Sequence, residues 1–300
     1  MPRHAAPAEP PLTPGESPLT GAVTRRAPDR REIALTVGLA LALNLVPGTV
    51  AQWYHLRWGL VLSQALFIAG PALFSIRWFH LDRRALLPLQ RPRGLFLPAA
   101  LVGTLALNHL LNLAGAWHER MLPPPEAYSL FFADLFVYHG PVDFIIVIVV
   151  FALVPALCEE VLFRGFLLRG LLGARPGNAW GSTHYPDRPR AIFATADRAI
   201  IVQAMIFALF HFDPWRLPEI LALGLFLGFL TQRSGSLVPA ILAHAFNNAL
   251  SIGLAAAGQS EAFLGQSARL CSIPCAALFL VAAVLLVHRA STGRPQGRML

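Results

Sequence analysis

The chain contains no lysine. All 24 of its basic residues are arginines, set against 16 acidic ones, and charged residues make up only 13% of the 300. A soluble globular domain carries about 25%, because its surface must be wetted. This shortfall, with 55% hydrophobic residues and a mean hydropathy of +0.56, excludes a water-facing surface over most of the chain. Cysteine is scarce as well. Cys158, Cys271 and Cys275 are too few for a disulfide framework or a closed cysteine metal site, and small buried apolar side chains are their expected role. A long basic run is also missing. Although the net charge is +8, the arginines do not gather on one surface, so nucleic acid is not an expected partner. The use of arginine without lysine suggests a GC-rich bacterial genome. What remains is an all-α fold: a polytopic transmembrane helical bundle.

Residues 1–31 hold seven prolines and no apolar periodicity, and read as a disordered Pro/Arg-rich tail. Its closing arginines precede an apolar run that lengthens into a spanning helix, so it is expected to be a retained anchor rather than a cleaved signal. Eight apolar stretches follow, at about 33–51, 59–76, 95–117, 141–172, 199–212, 217–231, 236–256 and 270–288. Each approaches the roughly 20 residues needed to cross a bilayer. The fourth is overlong and is expected to overrun the membrane or break within it; the fifth and sixth are short. This divides the chain into the tail, N-terminal membrane spans over 32–140, a membrane core over 141–256, and a last span with a basic tail over 257–300.

The arginines orient these spans. With the N-terminus in the cytoplasm, nineteen fall on cytoplasmic connections and four (Arg57, Arg120, Arg216 and Arg269) on the opposite side. This asymmetry is the positive-inside pattern for eight spans with both termini cytoplasmic. One connection, 174–198, is a long polar loop, expected to be a linker. Another, 123–139, is rich in aromatic residues and suggests an interfacial helix.

Ionisable groups inside spans are costly and ask for a reason. They cluster in three places. Cys158-Glu159-Glu160 leads to Arg164, four residues beyond Glu160, so that Glu160 and Arg164 can pair on one helix face. Glu159 points elsewhere and has no basic neighbour at helical spacing, which makes it a candidate general base. His211 closes the fifth span. His244 and Asn248 share a face of the seventh. Each group alone also has a structural reading: solvated glutamates at a helix end, a structural histidine at an interface, polar glue between helices. Together they offer a carboxylate, two imidazoles and an amide, the parts needed to activate water and hold an oxyanion. A serine site with a plausible base and an HExxH helix are both missing. Asn108, His109 and Asn112 are expected to make helix-packing hydrogen bonds, and His139 and Asp143 to be interfacial.

On these residues the sequence resembles the CAAX-protease and bacteriocin-processing (Abi) family of intramembrane endopeptidases. The motifs stand, in the family's order, as Glu159-Glu160-x-x-x-Arg164, Phe207-x-x-x-His211 and His244-x-x-x-Asn248. The resemblance covers about 145–255. It implies that Glu159 activates water with help from His211, that His244 and Asn248 hold the oxyanion, and that Glu160 and Arg164 support the site. No metal is expected to be required. The alternative is a zinc ion on Glu159, His211 and His244, since two histidines and one carboxylate are a known zinc set. The expected partners are the lipid bilayer and a membrane-associated protein or peptide substrate, in a bacterial inner membrane. Two rivals stand beside this: a non-catalytic membrane scaffold or immunity protein of the same fold, and a proton-relay transporter, for which no internal repeat is found.

Overall fold

The computed structural model describes residues 26–92, 94–173, 196–256 and 266–292. Residues 1–25 of the expected tail and 174–195 of the long loop lie outside these, as does the side chain of Cys271. Among the described residues every named element is a helix.

The first helix, α1 (Arg30–Tyr54), begins with a capping box: Asp29 accepts from the Glu32 N–H, and Glu32 reaches back to the Asp29 N–H. Arg26 pairs with Glu32, so the end of the tail is tied to the first helix rather than loose. The signal was present in Asp29-Arg30-Arg31-Glu32. After a break at His55 the chain returns as α2 (Leu56–Trp78). The two helices approach so closely at Gly59 that an added Cβ would meet the Ala51 carbonyl oxygen at 2.2 Å. A short α3 (Arg83–Leu86) follows, capped by Asp82, then α4 (Phe96–Met121) and α5 (Glu126–Leu135).

Of the two expectations for the core helix α6 (Pro141–Leu171), a break or an overrun, the break does not occur: it runs unbroken over 31 residues, about 46 Å at 1.5 Å per residue against a hydrocarbon core of roughly 30 Å. It carries wider π-helical stretches at Val149–Leu153 and Val161–Leu168, which flank Glu159 and Glu160. The remaining helices are α7 (Ala196–Leu209), α8 (Leu217–Ser234), α9 (Val238–Ala256) and α10 (Gln266–Thr292).

Among the described residues, six helices are long and apolar enough to cross a membrane: α1, α2, α4, α6, α9 and the Ser272–Ser291 part of α10. The other two expected spans form as helices, one shorter and one more polar than these. At 1.5 Å per residue, the 14 residues of α7 reach only about 21 Å, against a hydrocarbon core of roughly 30 Å. Glu219, Gln232 and Arg233 make α8 too polar near its ends. The outer surface is apolar, and Trp53, Tyr54, Trp58, Trp78 and Trp117 stand exposed close to helix ends, as in the aromatic belts of membrane proteins. The protein is an integral membrane protein.

Two main clusters of buried side chains hold the bundle. One joins α1, α2, α6 and α7 around Phe163, Phe166 and Phe207; the other joins α4, α8, α9 and α10 around Phe226, Leu227 and Leu230. The turn after α8 is tied to the segment following α3: the Leu237 N–H donates to the Pro88 carbonyl (2.8 Å) and Gln90 Nε2 to the Gly235 carbonyl (2.7 Å). This tie brings α9 against α6, where the polar residues meet.

Candidate active site

Glu160 and Arg164 are both fully buried and bonded at 2.7 Å, as their i, i+4 spacing predicts. Arg164 has two further partners, the Gly224 carbonyl of α8 (3.3 Å) and the ring of Phe207, whose centroid lies 4.2 Å away. His244 of α9 approaches the same Glu160 oxygen, Nδ1 to Oε1 at 3.0 Å. A carboxylate can only accept, so His244 Nδ1 carries a hydrogen and donates it.

Glu159 faces the other way, and three helices close on it. Gln64 of α2 donates Nε2–H to Oε1 at 2.9 Å. The second oxygen, Oε2, lies 3.9 Å from His244 Nε2 and 4.0 Å from His211 Nε2. It is buried and has no hydrogen-bond partner among the described residues. His211 lies two residues past the end of α7, and its Nδ1 lies 2.8 Å from the Phe207 carbonyl. That carbonyl can only accept, so Nδ1 donates, and Nε2 is the nitrogen turned to Glu159. Directly after it, Phe212 holds a left-handed φ of 49°, an uncommon conformation for a bulky residue, and the chain turns away. His211 is the open edge of the group: its side chain is 32% exposed, against 11% for Glu159 and 4% for His244.

The turn beyond His211 is fastened from α5. Tyr128 donates its O–H to Asp213 Oδ2 at 2.7 Å, and Asp213 Oδ1 accepts from the N–H groups of Trp215 and Arg216. Burial, and then the bond to Asp213, push the Tyr128 phenol above its usual range. Asn248 lies one turn beyond His244. Its Oδ1 accepts from Asn247 Nδ2 at 3.3 Å, and among the described residues no hydrogen bond joins it to Glu159, His211 or His244.

Glu159, His211 and His244, from three different helices, therefore converge, with Glu160 and Arg164 behind His244. Gln64 was not singled out from the sequence. Its signal was an uncharged amide in the middle of an apolar span. Among the residues expected to serve packing, Asn108 of α4 is hydrogen-bonded to Asn247 and Ser251 of α9, Asn112 donates to Asn108, and His109 bonds Ser272 of α10 (2.8 Å). Asp143 pairs with Arg57 near the ends of their helices. Cys158 is half-buried and Cys275 exposed, both as free thiols.

The donor chemistry of Glu159, His211 and His244 suits zinc, and their spacing is about half an ångström wider than a bound ion sets. Zinc–ligand bonds of about 2.0–2.1 Å place tetrahedral ligands roughly 3.4 Å apart. Here the separations from Oε2 are 3.9 and 4.0 Å, and no group of three His, Cys, Asp or Glu side chains among the described residues forms a metal-holding cluster.

No curated protein and no solved structure matches the chain. A family model does. Residues 141–250 match the family described as type II CAAX prenyl endopeptidase Rce1-like, and the matched segment holds all three motifs, from Glu159 to Asn248. Through that segment, the chain is similar to the CAAX-protease family.

Proposed function

We propose that the protein is an intramembrane endopeptidase that hydrolyses a peptide bond of a membrane-associated protein or peptide, using a water activated by Glu159. The observation that carries this reading is the unpartnered Glu159 Oε2 with two imidazole nitrogens about one water diameter away. A water seated there donates one hydrogen to Oε2 and the other to the lone pair of His211 Nε2.

The chemistry follows from these contacts. Glu159 takes a proton from the water as its oxygen forms a bond to the scissile carbonyl carbon. The carbonyl π pair moves onto oxygen, giving a tetrahedral oxyanion. His244 as imidazolium keeps Nδ1–H on Glu160 and offers Nε2–H to that oxyanion, joined by the amide of Asn248. The charges then balance: Glu159 and Glu160 against Arg164 and His244. On collapse the carbon–nitrogen bond breaks, and the leaving amine takes the proton held by Glu159. Arg164 holds Glu160 in place, and Glu160 keeps His244 oriented.

The reaction as written uses no metal. Zinc bound by Glu159, His211 and His244 is the competing chemistry. A bacterial inner membrane is the setting we infer, in keeping with the arginine-only basic composition.

The test uses Glu159→Gln and His211→Ala in membranes containing a quenched-fluorescence peptide with a C-terminal apolar anchor. Both variants are expected to lose cleavage. Wild-type rates in both overturn the hydrolase reading and favour a non-catalytic scaffold. Full activity after exhaustive chelation supports the metal-free route; complete loss, restored by zinc, overturns it.

A further inference from the structure

The proposed reaction uses Asn248 but leaves its orientation unexplained. An asparagine amide has a donor end and an acceptor end, and only the donor end helps an oxyanion. Three neighbours outside the motifs decide which end is free. Ser251 Oγ donates its single hydrogen to the Asn247 main-chain carbonyl one turn back, at 3.0 Å. Towards Asn108 of α4, 3.2 Å away, it can therefore only accept, so the Asn108 atom facing it is Nδ2. The same Nδ2 lies 3.1 Å from Asn247, which must present Oδ1 to it. Asn247 then turns its own Nδ2 to Asn248, 3.3 Å away, and Asn248 accepts through Oδ1. At the far end Asn112 donates Nδ2–H to Asn108 Oδ1 at 3.0 Å, in the same sense.

Each link passes a direction to the next, and the last amide is left with Nδ2, two N–H donors, outside the ladder. We propose that Asn108, Asn247 and Ser251 are positioning residues that hold the Asn248 amide with its N–H groups free for the oxyanion. This rests on the endopeptidase reading and on Asn248 as an oxyanion donor. It also gives α4, which lies outside the matched segment, a part in the reaction beyond packing. Helix packing alone needs hydrogen bonds between α4 and α9 but does not care which way the amides face.

The test compares Ser251→Ala, Ser251→Thr, Asn108→Leu and Asn248→Ala in the purified full-length protein with the anchored fluorogenic peptide. Loss of an oxyanion donor in Asn248→Ala lowers kcat by about 100-fold or more. Ser251→Ala and Asn108→Leu are expected to lower kcat by about tenfold with KM unchanged, being a partial loss of the same donor. Ser251→Thr, which keeps the hydroxyl, should restore the wild-type rate. If Asn248→Ala is impaired while Ser251→Ala and Asn108→Leu match wild type, or change only KM, the ladder is overturned and the oxyanion role stands. If Asn248→Ala is itself unimpaired, the oxyanion reading falls, and the ladder with it. A second measurement needs no turnover. With isotope-labelled asparagine in micelles, wild type should give one sharp pair of Asn248 side-chain amide resonances that Ser251→Ala broadens or doubles. An unchanged spectrum in Ser251→Ala overturns the proposal.

Discussion

The two halves of the membrane domain treat their buried polar groups differently. In α1 and α2 they are used for packing: Thr36 Oγ1 bonds Ser75 Oγ at 2.7 Å, and Ser63 donates to main-chain carbonyls. In the segment matched to the family, several buried polar atoms have no partner among the described residues, Glu159 Oε2, Glu160 Oε2 and Arg164 Nε among them; in α1 and α2 the same holds of Gln64 Oε1 alone. An unpartnered buried polar atom costs about 1–3 kcal/mol, more when charged, so a cluster of them marks a place where stability is given up. Function is the usual reason. Gln64 belongs by sequence to the first region and by its bond to Glu159 to the second.

Substitutions can sharpen or break this contrast. The largest effect is expected at Glu159→Gln, which keeps shape and removes the base: kcat should fall by about 10²–10⁴, with the unfolding temperature in micelles nearly unchanged. A variant that folds and retains full activity would erase the distinction between the two regions. Next is Arg164→Leu. It leaves Glu160 ionised and buried with only His244 beside it, so a loss of about 3–5 kcal/mol is expected, read as a lowered unfolding temperature together with inactivity. Gln64→Leu tests the link between the regions. Without its donor Oε1 is freed, the carboxylate can rotate away from the two imidazoles, and kcat should drop about tenfold at constant KM, within the range set by misplacing a catalytic group. An unchanged kcat would return Gln64 to packing. The smallest effect belongs to Thr36→Val, which removes a helix–helix bond far from the site. About 1 kcal/mol of stability and no change in kcat are expected, measured on the same preparation.

How much was legible depended on the range of the interaction. The Glu160–Arg164 pair follows from helical periodicity, because residues four apart share a face whatever the fold. The convergence of Glu159, His211 and His244 was suggested by their common polarity in apolar spans and by the family resemblance. Their separations of 3.9 and 4.0 Å could not be. Gln64 and the amide ladder were unreadable as site components, since an Asn or Gln in a span serves packing equally well. The expected spans at 199–212 and 217–231 both form as helices, but an apolar run of about 14 residues folds as a helix whether or not it crosses, so crossing was not legible from the run itself.

The sequence by itself determined the solvent. A chain with so few charges and so many apolar residues must turn most of its surface to lipid, and its backbone must then satisfy itself within helices. It also determined the local pairs, because helical spacing is fixed by geometry. Charge is scarce overall, and three of the buried charges, Glu159, Glu160 and Arg164, lie within six residues of one another on α6. Only the tertiary structure decided which helices meet there, which imidazole nitrogen faces the carboxylate, and which end of each amide is free. Those are choices between near-equal partners, and they are settled by hydrogen bonds linking residues far apart in the chain, from Gln64 to Glu159 and from Asn108 to Asn247.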